Sequence, residues 1–330
     1  MESRDCSIPV PLPYRACMYC CHLVSYPVYI ATLTILLRDA SKPFQTYKYY
    51  MIVHIVLNML SELFVSILML PLTYLPHPLL RTTGLMARFG FSGLVQWYIL
   101  VACVMLTGGS ICEMFYYRFK VSVFDFKHHK MNQVLRLSLH SFWAFFVLQI
   151  VFATATFETS LVQGGIETMR LWTSTPGLAP EVTCYSVMIA VADFWVTSAN
   201  VSIYVLSFLL CFLSGLTALI CIVLYLKSGH NLSKATVKLQ IMFMFSLLSQ
   251  GSVHLFMIAV PAGILFYVVF HSLETDFIAR FMFGCVAYHG FFSTCAMILF
   301  TKPLRDKMMC IKKKQKQVVS APISVRSTLT

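Results

Sequence analysis

Four polar side chains lie inside long apolar segments and are the residues best placed for chemistry: Glu62, Gln250, His254 and His289. A carboxylate at membrane depth is costly and usually faces the interior of a helix bundle. Glu62 is either protonated and hydrogen-bonded to a neighbouring helix, or it holds a water or sodium site. For the other three side chains, hydrogen bonding between helices is favoured over a role in a ligand cavity. We interpret the four as an intramembrane polar core.

The histidines and cysteines form no catalytic or metal-binding pattern. The 10 histidines include no H-x-x-x-H or H-E-x-x-H pair that could bind zinc. Cys17, Cys20 and Cys21 include one C-x-x-C without a second pair, which is a weak metal or redox motif. Cysteines inside apolar segments, such as Cys112 and Cys211, are interpreted as small buried hydrophobes. We therefore predict no catalytic residue, no metal and no cofactor, and that the protein is not an enzyme.

The segments that carry these side chains are long enough to cross a bilayer. The chain has 330 residues, of which 58% are apolar and only 12% charged, whereas about a quarter of a soluble domain is charged. A helix needs roughly 20 apolar residues to span the hydrocarbon core. The sequence predicts an all-α membrane protein, a seven-transmembrane helix bundle similar in plan to a G-protein-coupled receptor (GPCR). The predicted spans are about 16–37, 49–74, 89–117, 137–157, 201–226, 239–267 and 281–300.

The third predicted span is expected to lie in the middle of the bundle. It carries small residues that let neighbouring helix backbones approach closely, and these are Gly93, Ala102, Gly108, Gly109 and Ser110. A span with such residues is expected to contact several helices rather than lipid on all sides.

The segments outside the spans have distinct compositions. Residues 1–15 are predicted to be an extracellular N-terminus, and residues 301–330 a cytoplasmic tail with a short amphipathic basic segment. Glu158–Asn200 is predicted to be the longest loop, of the kind that covers a binding site. Pro261 is expected to kink the sixth span.

The distribution of basic residues predicts the orientation. When the loops are assigned alternately from an outside N-terminus, 19 of the 25 Lys and Arg fall on the inner side. Basic residues near the ends of spans favour the cytoplasmic side. We predict that the N-terminus is outside and the C-terminus cytoplasmic. The net charge of +12 is thus explained by a lipid bilayer and not by nucleic acid.

Short motifs in the second and third spans are typical of a known family. Glu62 is followed by Pro71 and Pro76 and then by Gly84. At the end of the third span stands Phe115-Tyr116-Tyr117-Arg118.

The sixth and seventh spans carry further motifs of the same kind. Ser233-Lys234-Ala235-Thr236-Val237-Lys238-Leu239-Gln240 leads into the sixth span, which contains Gln250. His289-Gly290-Phe291-Phe292-Ser293-Thr294 lies in the seventh span, which closes on Thr301-Lys302-Pro303-Leu304-Arg305. In their order and spacing these motifs resemble those of the nematode serpentine chemoreceptors of the str-type superfamily, class H or class I.

The resemblance implies a chemosensory GPCR. Such a receptor binds a small environmental molecule, odorant or pheromone-like, in the outer half of the bundle and activates a heterotrimeric G protein through its basic inner loops. The family is expected in the plasma membrane of sensory-neuron cilia. The residues expected at the inner switch are Arg118, Tyr117, Lys120, Lys234 and Lys238.

Aromatic residues in the outer half of the bundle are the candidate ligand-binding residues. They are Trp97, Tyr98, Tyr204, Tyr267 and Tyr288. Aromatic side chains at this depth ordinarily form a belt at the membrane interface, so only some of them are expected to face a pocket.

Two cysteine predictions concern the ends of the chain. Cys6 and Cys184 are a candidate disulfide in the oxidising exterior. Cys310, beside a run of lysines, is a candidate palmitoylation site.

A multi-pass transporter or an intramembrane enzyme is the alternative to a receptor. The sequence shows no repeat of one half in the other, which many transporters contain.

Overall fold

The computed structural model of the protein describes residues 10–38, 45–75, 77–122, 129–176, 178, 180–189, 194–227, 234–271, 273 and 276–309. Within these ranges the chain is mostly helical, and 7 helices are long and apolar enough to cross a membrane. The predicted seven-transmembrane helix bundle is confirmed, and the chain is a multi-pass membrane protein.

The helices are numbered in chain order. They are α1 (Leu12–Arg38), α2 (Gln45–Leu63), α3 (Leu85–Arg88), α4 (Gly93–Ser122), α5 (His129–Ala155), α6 (Phe157–Ser174), α7 (Phe194–Lys227), α8 (Lys234–His254), α9 (Val260–Phe270) and α10 (Asp276–Phe300). Residues 302–309 form one more helical stretch directly after α10.

The second predicted span, 49–74, ends earlier as a helix than the apolar run suggested. α2 continues into a π-helical segment, Phe64–Met69, and Leu70 then adopts a left-handed backbone with φ of 42°. The following residue is Pro71, which has no N–H to extend the helix. The chain therefore leaves the helix there and enters a strand.

The sixth predicted span also contains a π-helical segment. Leu255–Ala259 separates α8 from α9, and Pro261 is the second residue of α9. A proline ring clashes with the carbonyl four residues earlier and offers no N–H. The backbone hydrogen bonds are rearranged in the turn before Pro261, where a kink was predicted from the sequence.

The prediction that Glu158–Asn200 is a loop is wrong. This segment contains most of α6, a 3-10 turn (Pro180–Thr183), a strand and the first residues of α7. Glu158, Glu167 and Arg170 interrupt the apolar pattern of α6, which is not among the helices apolar enough to span a membrane.

A small antiparallel sheet is the exception to the all-α prediction. Its strands are β1 (Pro71–Thr73), β2 (Leu79–Thr82) and β3 (Val187–Ile189), in the order β1-β2-β3. The sheet joins the segment after α2 to the segment before α7, next to the first residue of α4. We call this end of the bundle the sheet end, and the opposite end, where α4 and α7 terminate, the basic end.

α4 lies in the middle of the bundle, as its small residues predicted. It packs against α2, α5, α7 and α8. A Cβ added to Gly109 would lie 2.7 Å from Phe142 and 2.9 Å from Trp143 of α5, so only glycine permits this approach. Trp143 Nε1 also donates a hydrogen bond of 2.9 Å to Glu113.

Cys112 of α4 and Cys211 of α7 are joined by a disulfide, with Cα atoms 6.1 Å apart. The expectation that both are merely small buried hydrophobes is therefore wrong. Cys112 is buried and Cys211 is half-buried, and sequence alone did not show that α4 and α7 bring them together.

Candidate functional site

Arg118 lies at the basic end of α4, clamped between two aromatic rings. Its guanidinium carbon lies 3.5 Å from the ring centroid of Tyr47 on α2 and 3.5 Å from that of Phe243 on α8. The side chain is only 4% exposed, and its Nε and Nη2 have no hydrogen-bond partner within the described residues. No described carboxylate forms an ion pair with it. One cation thus joins three helices through ring faces; we call this arrangement the aromatic clamp.

The other predicted switch residues lie around the aromatic clamp with different exposures. The Tyr117 ring stacks on Tyr47 at 5.9 Å between centroids. Lys120 and Lys238 are exposed, and Lys234 is the first residue of α8. The basic end therefore presents exposed lysines beside a buried arginine.

Glu62 is fully buried and faces α1. Tyr29 donates a hydrogen bond of 2.8 Å to Oε2, and Ser25 donates one to Oε1. His22 Nδ1 lies 3.2 Å from Oε1, while its Nε2 lies 2.6 Å from Ser66 Oγ. Ser66 donates its single hydrogen to the Glu62 carbonyl, so His22 Nε2 is the donor to Ser66. The carboxyl group of Glu62 is therefore a hub between α1 and α2.

Three histidine rings meet in the middle of the bundle. The ring centroids of His54 and His254 are 5.9 Å apart, and those of His254 and His289 are 5.1 Å apart. His254 Nδ1 lies 3.2 Å from the Gln250 carbonyl, and His289 Nδ1 lies 2.5 Å from the Val286 carbonyl. A carbonyl only accepts, so both Nδ1 atoms carry the hydrogen and both Nε2 atoms are acceptors in the neutral rings.

His54 completes this group from α2. Its Nδ1 pairs with Ser110 at 2.7 Å, and its Nε2 receives hydrogen bonds from Asn58 at 3.1 Å and faces Ser293 at 3.0 Å. Gln250 is fully buried and donates to Ser246, while its Oε1 has no partner within the described residues. Glu62 lies in a separate network, so the four predicted core residues do not form one site.

A first cavity of about 530 Å³ lies between α4, α5 and α7, in the half of the bundle nearer the sheet end. Tyr98 and Tyr204 both line it, as does Gln149 of α5. Gln149 is 5% exposed and lies beside the Tyr204 hydroxyl, and among the described residues its nitrogen and oxygen make no hydrogen bond of normal geometry. We call this space the upper cavity.

The remaining three ligand candidates lie elsewhere. Trp97 packs in the apolar core at the sheet end, and Tyr267 is 59% exposed beside His271. Tyr288 donates a hydrogen bond of 3.0 Å to the Cys17 carbonyl on α1. Of the predicted ligand-binding residues, two share a cavity and three do not.

A second cavity of about 310 Å³, the central cavity, lies deeper between α4, α7 and α8. Met105 lines both cavities. The walls of the central cavity are mostly phenylalanine, leucine and glycine residues, and His254 and Ser252 supply polar groups. Among the residues that the structure describes, no charged side chain lines it.

The sheet end carries a buried charge pair that sequence analysis did not single out. Arg81 of β2 lies 3.9 Å from Glu181, and Tyr74 stands between them with hydrogen bonds of 3.4 Å to each. Burial raises the pKa of the Tyr74 hydroxyl, and its hydrogen bond with Arg81 opposes part of that rise.

The cysteine predictions for the chain ends are only partly within the structure. Cys184 is disulfide-bonded, while Cys6 and Cys310 lie outside the described residues. Among the residues that the structure describes, no group of three His, Cys, Asp or Glu is placed to hold a metal ion.

Several residues of these sites were missed from sequence. His54, Gln149 and Tyr29 lie within apolar runs, and their polarity inside a span was the one available signal. Nothing in the sequence indicated which of them would face a partner and which a cavity.

Comparison with known proteins identifies the family. The family model described as serpentine type 7TM GPCR chemoreceptor Srh matches residues 11–314. No curated protein and no solved structure matches the chain. The match spans most of the chain, confirms the resemblance noted from the motifs, and decides between the two classes that they left open. It is a family of receptors and not of enzymes. The chain belongs to the Srh family of serpentine seven-transmembrane GPCR chemoreceptors.

Proposed function

We propose that this receptor binds a small odorant or pheromone-like molecule at the sheet-end half of the bundle and activates a heterotrimeric G protein at the basic end. The sheet end then faces outward and the C-terminus lies in the cytoplasm, in keeping with the bias of basic residues. The plasma membrane of sensory-neuron cilia is the proposed location.

The observation that carries this proposal is the aromatic clamp around Arg118. A buried cation at the inner end of a central helix, held by rings from two other helices, can be in place only while those helices stay together. Desolvated cation–π contacts are worth about 2 kcal/mol each. The clamp therefore favours a closed inner face, and its opening would expose a cation to a partner.

The upper cavity supports the ligand half of the proposal. Its volume of about 530 Å³ lies within the usual range of small-molecule sites. It combines apolar walls with two tyrosines and the buried Gln149 carboxamide, which makes no hydrogen bond of normal geometry within the described residues. Buried polar atoms without partners are rare in proteins, and a ligand that hydrogen-bonds with Gln149 would satisfy them.

Basal nucleotide exchange tests the coupling half of the proposal without a known ligand. Membranes with equal amounts of each receptor variant are assayed for exchange on a panel of Gα subunits. Phe243→Ala removes one face of the clamp and is expected to raise basal exchange about tenfold, which corresponds to roughly 1.4 kcal/mol. Arg118→Ala is expected to reduce exchange to that of receptor-free membranes.

Phe245→Ala is the matched control, because Phe245 lies on the same helix but is 56% exposed. It is expected to behave like the unaltered receptor. Unchanged exchange in Arg118→Ala, at equal surface expression and on every Gα subunit that the unaltered receptor activates, would contradict the proposed role of the clamp.

A further inference from the structure

We infer that the central cavity is a second ligand site, and that it takes a neutral, mostly apolar molecule carrying one hydrogen-bond donor, such as a phenol or an alcohol. Three observations carry this inference: the space left by glycines, the unpaired acceptor of His254 and the absence of charge in the walls. Binding to the central cavity can be measured without a G protein. The inference can therefore fail while the proposed signalling is correct, and the proposed signalling can fail while the inference is correct.

Glycines create the space. Gly108 of α4 and Gly251 of α8 both line the central cavity, and a Cβ added to either would meet nothing within 4 Å. Glycine inside a helix costs about 1 kcal/mol relative to alanine. Neither position needs glycine to avoid a clash, so these residues widen the cavity instead of allowing close helix packing.

His254 supplies the polar group. Its Nδ1 donates to the Gln250 carbonyl, which leaves Nε2 as an acceptor, and that atom is buried without a partner within the described residues. The neighbouring His289 has the same tautomer and an equally unpaired Nε2. Two acceptors cannot bond to one another, so His289 does not satisfy His254. A ligand that donates a hydrogen bond would satisfy the Nε2 atom of His254.

The residues in the cavity walls determine the polarity, charge and size of the rest of the ligand. Phe115, Phe142, Phe208 and Phe212 line the central cavity, so flat or aliphatic apolar groups are favoured. No charged side chain is present to pair with an ionised ligand, and burying an unpaired charge is very costly. With about 30 Å³ for each water-sized group, a volume of about 310 Å³ accommodates a ligand of roughly ten non-hydrogen atoms.

The cavity is also placed to influence the aromatic clamp. Phe115, in its wall, lies one helical turn before Arg118, and Leu255, also in its wall, begins the π-helical segment after α8. A ligand in the central cavity would thus contact α4 and α8, two of the three helices that the clamp joins.

The experiment uses three small probes of matched shape with the full-length purified receptor in lipid nanodiscs. Para-butylphenol donates a hydrogen bond, para-butyltoluene has no polar group, and para-butylpyridine only accepts. The readout is the rise in thermal unfolding midpoint with probe concentration, which follows binding to the folded state. We expect para-butylphenol to half-saturate the receptor at a concentration about five- to tenfold lower than either analogue.

Variants locate the site. Gly251→Leu and Gly108→Leu each fill the central cavity from a different helix and are expected to abolish stabilisation by all three probes. Gly284→Leu is the matched control, because Gly284 also has open space around its Cβ position but does not line the cavity. Ala102→Leu fills the upper cavity and is expected to leave phenol binding intact. His254→Phe keeps an aromatic ring but removes the Nε2 acceptor. It is expected to abolish the preference for para-butylphenol over the two analogues.

The inference would be overturned by either of two results. One is equal half-saturation by the three probes in the unaltered receptor. The other is unchanged phenol binding in the cavity-filling variants that still fold, as judged by a cooperative unfolding transition. If Ala102→Leu alone abolishes phenol binding, the ligand lies in the upper cavity, and the assignment of the central cavity is wrong.

Discussion

Glu62 shows how one buried carboxyl group can hold two helices together. Tyr29 and Ser25 donate to its two oxygens, and His22 lies beside one of them. These three partners all come from α1, whereas Glu62 belongs to α2. None of these four residues lines either of the two cavities described above, which favours a role for Glu62 in holding α1 against α2.

Removing this carboxyl group is expected to destabilise the receptor. Glu62→Leu leaves the Tyr29 and Ser25 hydroxyls buried without an acceptor, at a cost of about 1–3 kcal/mol for each. Glu62→Gln keeps one carbonyl acceptor and is expected to lose less. The measurements are the thermal unfolding midpoint and the amount of receptor at the cell surface.

Tyr29→Phe serves as a partner control, because it removes one hydrogen bond and leaves the carboxyl group in place. A Glu62→Leu variant as stable as the unaltered receptor would show that the network contributes nothing. A Glu62→Gln variant with normal surface amount but altered nucleotide exchange would instead assign Glu62 a role in switching.

Residue types in the sequence predicted part of this picture. Glu62 inside an apolar run indicated a carboxyl group facing the bundle interior, and Arg118 after Phe115-Tyr116-Tyr117 indicated a switch position. The partners could not be predicted, because they come from distant parts of the chain. The Arg118 clamp uses Tyr47 and Phe243, which look like ordinary apolar residues at the ends of two spans.

Among the elements, α10 closely approaches two neighbouring helices at Gly290. A Cβ added there would lie 2.7 Å from the Tyr29 hydroxyl and 2.8 Å from the Asn58 Cβ. Glycine is needed here so that α10 can pack against α1 and α2 at once.

Gly290→Ala is therefore expected to destabilise the receptor by about 1–3 kcal/mol, the usual cost of overpacking a tight core. Gly284→Ala, in the same helix but with nothing within 4 Å of its Cβ position, is expected to be neutral or slightly stabilising because alanine favours helix. Thermal unfolding of the two purified variants side by side gives the comparison. Equal midpoints for both would contradict the close approach.

The spans were predictable as elements because uninterrupted apolar runs of that length have few other solutions in a bilayer. The interruptions within the spans were harder to predict. Pro261 indicated a break in the sixth span, but no residue pattern indicated a π-helical segment, which changes which side chains share a face. α6 was not predicted because its two glutamates and one arginine are typical of a polar loop, although the segment is helical.

The whole molecule has two chemically different ends. The sheet end is closed by three strands and a buried pair, Arg81 and Glu181, whereas the basic end carries exposed lysines around Arg118. Because loops rich in Lys and Arg favour the cytoplasmic side of a membrane, we predict that the basic end faces the cytoplasm.

The orientation can be tested with epitopes at Met1 and Thr330. The N-terminal epitope is expected to bind antibody on intact cells, and the C-terminal epitope only after the cells are permeabilised. A cytosolic protein stained in parallel shows that intact cells were impermeable. Accessibility of both epitopes on the same side would be incompatible with seven spans.

The link between Cys112 and Cys211 has a consequence for how two copies can associate. It ties α4 to α7 within one chain across a separation of 99 residues. Exchange of whole elements between identical chains is a common route to dimers. If two copies of this receptor traded their later helices, each copy would have to form the sulfur–sulfur bond with the other, and the pair would be permanently fused. Copies that remain separable must therefore meet through their outer surfaces, each with its own complete set of helices.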